Sequence, residues 1–154
     1  MIDIPQIIQT AARPTAIIHF TIPREEMQHI FGPGIGELMA AIAAQGIAPA
    51  GPVFAHHLKI TPGIWDFELG VPVNAPVAAA GRVKPGLWPA MKVARTVYRG
   101  PYEGLPDAWG EFMRWIEAEG HTPVPDLWEC YITNPDSNPD PAGWRTELNR
   151  PLID

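Results

Sequence analysis

The sequence predicts an α+β fold. It has two strand-helix-strand-strand units related by a pseudo-twofold axis, a mainly antiparallel sheet, helices on one face and a central groove. Three observations predict it. A stretch of helical spacing followed by two stretches of period two occurs twice, in the same order. Residue matches run collinearly between the two occurrences. The 19 prolines and 14 glycines among 154 residues fall between apolar segments rather than in one block, as short elements joined by tight turns require.

Residues 15–21 alternate and read as the first strand. Ile35, Leu38, Met39 and Ile42 follow i, i+3, i+4, i+7 spacing, which gives one apolar face of a helix. Pro33 and Gly34 are expected to delay its start, and Gly46 to end it. Strands follow at residues 53–60 and 64–71. In the second half, residues 88–98 read as one strand and Gly100-Pro101-Tyr102-Glu103-Gly104 as a turn. Trp109, Phe112, Met113 and Ile116 form the helical stripe, ended by Gly120. Residues 127–133 and 144–148 read as the closing hairpin.

The internal matches tie the halves together. Trp65, Glu68, Leu69 and Pro72 recur as Trp144, Glu147, Leu148 and Pro151, an offset of 79 residues. Upstream, Met39, Gly46 and Pro49 recur as Met113, Gly120 and Pro123, an offset of 74 that also sets Phe54 on Trp128 and Leu58 on Ile132. The difference of five falls in the hairpin turn 134–141, longer than 59–63, and a surface turn tolerates insertion best. The expectation is one domain over 1–154, with repeats at about 10–74 and 86–152.

Composition excludes several classes. Eleven basic against 17 acidic residues give a net charge of −6, and no basic cluster offers the footprint that direct nucleic-acid binding needs. Cys130 is the sole cysteine, which leaves neither an internal disulfide nor a zinc-binding cluster. Residues 1–9 lack the features of a signal peptide, and no stretch has the length to span a membrane, so a cytoplasmic location is the default. His56 and His57 are adjacent and face opposite sides of a strand. His19, His29 and His121 lie on other elements, so no metal site is expected. No cofactor is expected either. Pro33 removes an amide donor from Gly32-Pro33-Gly34-Ile35-Gly36, which argues against a phosphate loop. Ser137, the only serine, sits in a turn, which argues against serine-hydrolase chemistry.

The segment Leu127-Trp128-Glu129-Cys130-Tyr131-Ile132 carries the candidate chemistry. Period two puts Glu129 and Tyr131 on one face and Trp128, Cys130 and Ile132 on the other, the latter assigned to the helix-packed core. A carboxylate in such an apolar run is costly to desolvate without a partner. Glu129 either meets a ligand cation, carries a proton, accepts from a tyrosine or faces solvent; burial of such a group would suit acid–base work. His57, at the position matching Tyr131, is either a ligand donor across the groove or a surface strand residue. Tyr102 either points into the groove mouth, toward a ligand or Glu129, or packs on the sheet edge. Phe54 adds apolar area. Trp65 and Trp144 match each other, which favours a structural role for both. Trp88 has no matching aromatic and is a pocket candidate. Cys130 reads as buried and inert.

Arg99-Gly100-Pro101-Tyr102-Glu103-Gly104-Leu105, Ala108-Trp109, Trp128-Glu129-Cys130-Tyr131 and Trp144-Arg145-Thr146-Glu147-Leu148 with Pro151 together resemble the GyrI-like small-molecule-binding family. Gly51-Pro52-Val53-Phe54 and Glu68-Leu69-Gly70-Val71-Pro72-Val73 extend the resemblance, which covers roughly Thr10 to Pro151. The family includes the effector-binding domains of AraC- and MerR-type multidrug regulators. The resemblance implies SHS2-like units around a groove, with Glu129 as the ligand-facing acid. One departure is His57, where the family often carries Tyr. The sequence shows no helix-turn-helix ahead of the first strand, so a regulator role would need a separate regulator protein as partner.

Three functional readings follow. The first is a binding protein for an apolar aromatic ligand, neutral or cationic, held by Glu129, Tyr131, Tyr102, His57, Phe54 and Trp88. The second is a small hydrolase of reactive electrophiles, such as cyclopropane-containing toxins, with Glu129 and Tyr131 as catalytic residues. The third is a gyrase-inhibitor-like interaction protein. Exposed sheet edges make a homodimer a further expectation.

Overall fold

The computed structural model describes residues 2–61, 63–133 and 139–153, in two compact units: residues 11–90, and residues 1–10 together with 91–154. In chain order the elements are β1 (Gln6–Gln9), β2 (Arg13–Pro23), α1 (Met27–Ala44), β3 (Phe54–Thr61), β4 (Ile64–Pro72), β5 (Lys84–Trp88), β6 (Lys92–Arg99), α2 (Leu105–Ala118), β7 (Leu127–Thr133) and β8 (Arg145–Pro151). Single 3-10 turns precede α1 at Arg24–Glu26, α2 at Tyr102–Gly104 and β8 at Pro141–Gly143.

In the unit of residues 11–90, the strand order is β3-β4-β2-β5 and each pairing is antiparallel. Ala16, Ile18 and Phe20 of β2 lie on one face with Phe67 and Leu69 of β4, and all five are buried. Helix α1 packs on this face through Gly34, where an added Cβ would stand 2.7 Å from Leu69 Cδ2 and 3.5 Å from Phe20 Cζ. Close approach explains that glycine. Pro33 does not delay the helix, contrary to the sequence expectation: α1 begins at Met27 and runs through it. Pro33 is exposed, so the carbonyl deprived of its amide partner lies where water can reach it. Gly46, at φ +70°, ends the helix, and the Ile47 amide donates to the Ile42 carbonyl, a Schellman-type closure.

In the other unit the order is β1-β6-β8-β7, again antiparallel throughout. Helix α2 covers one face of its sheet: Ala108, Phe112 and Ile116 pack with Ala94 and Tyr98 of β6, Leu148 of β8 and Leu152. Gly120, at φ +78°, ends α2, and the His121 amide donates to the Ile116 carbonyl.

Two strands were not expected. Residues 88–98, read from sequence as one strand, form the end of β5 and most of β6. Pro89 separates them, because proline cannot donate to a ladder. Trp88 thereby belongs with β2, opposite Arg13. Strand β1 is too short to show an alternation. Each unit thus carries four strands rather than three.

The two units share a register. Ala55 pairs with Leu69 as Glu129 pairs with Leu148, and His57 with Phe67 as Tyr131 with Thr146. Both ladders shift just beyond, between His57 and Lys59 and between Tyr131 and Thr133. Isolated bridges Pro49–Val73 and Pro123–Leu152 also correspond. Residues 134–138 of the longer turn, including Ser137, lie outside the described residues. Among the described residues, no helix is long and apolar enough to cross a membrane.

Candidate functional site

Strand β7 sets Glu129 and Tyr131 side by side on one face, and its pairing decides which face. Glu129 lies opposite Leu148, and Leu148 packs beneath α2. Glu129 and Tyr131 therefore face the helix. This reverses the sequence assignment, which put Trp128, Cys130 and Ile132 there. Cys130 instead lies on the other face, 3.8 Å from Asn149 Nδ2, beside a network in which Arg95 donates to Asn149 Oδ1 at 2.6 Å and meets Glu147 at 3.3 Å. Cys130 is buried, as expected.

Under α2, Glu129 is 9% exposed, and both carboxylate oxygens accept hydrogen bonds. The Trp109 indole N–H donates to Oε2 at 2.7 Å, and the Tyr131 hydroxyl donates to Oε1 at 2.9 Å. Hydrogen bonds to an ionised acceptor are among the strong ones. Burial, and next the neighbouring Glu129 charge, push the Tyr131 phenol well above its ordinary range. Tyr131 therefore stays protonated and donating at neutral pH.

Tyr102 reaches this pair through a turn built on Tyr98. The Tyr98 hydroxyl donates to the Pro101 carbonyl at 2.8 Å. Gly100 adopts φ +141°, and a Cβ on Gly104 would stand 2.0 Å from the Tyr98 hydroxyl oxygen. The turn closes over that hydroxyl only because both positions lack side chains. It delivers Tyr102 to an edge-on contact with Tyr131, with ring centroids 5.9 Å apart, and to a tilted contact with Trp144 at 5.0 Å. Burial, and then Glu129, also raise the Tyr102 phenol.

The remaining expected site residues lie in the unit of residues 11–90. His57 is buried on the face that carries Phe67, edge-on to Trp65 at 5.5 Å and tilted on Phe67 at 5.6 Å. Phe54 and Trp88 lie on the reverse face, each 1% exposed and edge-on to each other at 5.7 Å. The Arg13 guanidinium stands 5.1 Å from the Trp88 ring centroid. Both rings fill core and stand apart from His57.

Sequence reasoning brought Glu129, Tyr131 and Tyr102 to one site but passed over Trp109 and Trp144. The spacing places Trp109 in the apolar helical stripe. A Trp whose N–H needs a partner once covered, three residues before the core Phe112, was the available signal. The match to Trp65 favours a structural role for Trp144, yet Trp65 flanks His57 much as Trp144 flanks Tyr102. Among the described residues, no group of three or more His, Cys, Asp or Glu side chains could hold a metal ion.

A search of curated proteins finds no match. Among solved structures, the EcmrR C-terminal domain superposes with a TM-score of 0.86 at 21% identity, over 97% of this chain and 97% of that one. The EcmrR chain in a DNA complex gives 0.84 at 22% identity over 96% of this chain, which spans 56% of the EcmrR length. SAV2435, solved bound to tetraphenylphosphonium, gives 0.68 at 16% identity, covering 97% and 94% of the two chains. A hydrolase from Listeria innocua gives 0.68 at 13% identity, covering 96% and 91%. These likenesses establish the α+β fold. The model of the GyrI-like small molecule binding domain matches residues 4–152, nearly the whole sequence, and the chain belongs to that family.

Proposed function

We propose that this protein binds an apolar, cationic aromatic small molecule against Glu129, with Tyr131, Tyr102 and Trp144 as the aromatic surface. The observation that carries the reading is the buried carboxylate. Trp109 and Tyr131, which donate to it, are neutral, and a cationic ligand complements a carboxylate by charge. At about 4 Å and an effective dielectric of about 20, a cation would gain about 4 kcal/mol of attraction, part of it offset by its own desolvation. Contact with the rings would add about 0.5–2 kcal/mol. The tetraphenylphosphonium held by SAV2435, a structural neighbour, is a ligand of this class. The equal registers of the two units support descent of both from one strand-helix-strand-strand unit, with His57 at the position of Tyr131.

The same pair carries a second reading. A carboxylate and a phenol 2.9 Å apart suit general-base activation of water beside a reactive electrophile, with Tyr131 steadying the carboxylate. A thermal-shift screen of wild type and Glu129→Gln against lipophilic cations, neutral aromatics and strained cyclopropanes, with product analysis, separates the two. Stabilisation by unaltered cations, lost in the variant, is the expected result. Glu129-dependent consumption of a compound would make the protein a hydrolase. Stabilisation by cations that persists in the variant would refute the proposed site.

A further inference from the structure

We propose that the outer edge of β1, with the groove beside it, takes up an extended segment of a protein partner whose side chains facing α2 are basic and apolar. This surface uses none of the residues of the Glu129 site, so it stands or falls independently of the small-molecule reading.

Three observations converge on it. First, β1 ends the strand order, with β6 as its neighbour. The Thr10 N–H donates to the Met91 carbonyl. Ile8, opposite Val93, and Gln6, opposite Arg95, hold the alternate positions of the same register. In an antiparallel ladder such residues turn their backbone groups to the neighbouring strand, and the residues between turn theirs away. Ile7 and Gln9 therefore point N–H and C=O groups outward, and both are exposed. An added strand bonds to groups of this kind. Second, an open groove runs beside this edge, lined by Ile2, Ile4, Pro5 and Trp115 with Asp3 and Glu111. Ile4 is 88% exposed. Ile7 lies opposite Ala94, which packs under α2, so alternate side chains of an added strand would face the α2 side as Ile7 does. Third, the charge there has one sign. Five of the six charged residues between 103 and 119 are acidic, and Asp107 and Glu111, both exposed, stand on one stripe of α2 with Trp115. Charge complementarity therefore calls for a basic segment. A second copy of this chain fits less well. Its own β1, Gln6-Ile7-Ile8-Gln9, carries no charge, and its β5 contains Pro85, which has no N–H to donate.

The test uses two fluorescein-labelled octapeptides, titrated by fluorescence anisotropy at about 0.1 M salt. One alternates threonine with arginine and valine, and the other carries glutamate in place of arginine. Wild type is expected to bind the arginine peptide about tenfold or more tightly than the glutamate peptide. Glu111→Lys should cost about tenfold in that affinity, and Glu117→Lys, the same charge change on another side of α2, about threefold or less. Equal losses in the two variants would reduce the effect to diffuse charge and overturn the inference, as would the absence of binding by the arginine peptide. Hydrogen exchange in the native protein reads the edge itself. A saturating arginine peptide should slow exchange of the Ile7 and Gln9 amides by about tenfold or more. Binding that leaves those two amides unchanged would overturn the strand-addition geometry. Protection of both amides that grows with protein concentration, without peptide, would give the edge to a second copy and overturn the proposal too.

Discussion

Replacing Gly104 by alanine strikes the turn that aims Tyr102. Gly104 has an ordinary helical backbone, φ −86° and ψ −4°, so the change introduces no backbone strain. Its cost is steric. The new Cβ would lie 2.0 Å from the Tyr98 hydroxyl oxygen and 3.0 Å from Tyr98 Cζ. Tyr98 has little freedom to retreat, being 6% exposed in the core beneath α2. Overpacking of this kind costs about 1–3 kcal/mol, and loss of the bond to the Pro101 carbonyl adds about 0.5–1.5 kcal/mol. In a chain of this size each kcal/mol lowers Tm by about 2–4 °C, so a fall of roughly 3–18 °C is expected. Tyr98→Phe removes the obstructing oxygen at the cost of the same hydrogen bond. In a thermal-denaturation double-mutant cycle, Gly104→Ala should therefore be much less damaging on the Tyr98→Phe background, with a coupling of about 1 kcal/mol or more. A Gly104→Ala protein as stable as wild type, or additive effects in the cycle, would refute the steric reasoning.

Two further outcomes follow from the same geometry. Gly34 and Gly36 lie two residues apart in α1, on opposite sides of the helix, and meet different surroundings: Gly34→Ala drives a Cβ against Leu69, whereas nothing lies within 4 Å of one on Gly36. Gly36→Ala should stabilise by up to about 1 kcal/mol through helix propensity, while Gly34→Ala should be destabilising by roughly 0–2 kcal/mol once overpacking is set against that gain; equal effects in urea denaturation would contradict the packing. Tyr131 supplies a pH dependence. Its folded-state pKa lies above the unfolded value of about 10, so its contribution to stability is present below that pH and lost as pH rises through the folded pKa. Between pH 9 and 11 wild type should lose stability more steeply than Tyr131→Phe, and parallel curves would refute the assignment.

The sequence carried the hairpins and the helix ends because these are written in local chemistry. Gly46 and Gly120 both take positive φ, and the repeated Trp, Glu, Leu and Pro positions announce equal registers. Period two joined Glu129 to Tyr131 correctly. It could not say which face of β7 meets α2, because both faces are apolar and buried: Trp128 is 3% and Cys130 4% exposed on one, Tyr131 and Glu129 each 9% on the other. Cross-strand pairing with Leu148 decides it, and pairing is not local. Trp109 was hidden for a similar reason. Its place in the i, i+3, i+4, i+7 stripe describes the ring, which does pack on Phe112, and says nothing of the N–H that reaches β7. Trp88, an unmatched aromatic in the sequence, ends β5 opposite Arg13 and packs edge-on against Phe54, a contact set by strand pairing rather than by local pattern.

The central claim is that the Glu129 charge selects the ligand. Calorimetric titration of wild type and Glu129→Gln with methyltriphenylphosphonium and its neutral analogue triphenylphosphine oxide tests it most directly. The substitution keeps the shape of the side chain and removes its charge. The predicted result is a loss of about tenfold or more for the phosphonium, and about threefold or less for the oxide. Equal losses for the two compounds, or none for either, would contradict it.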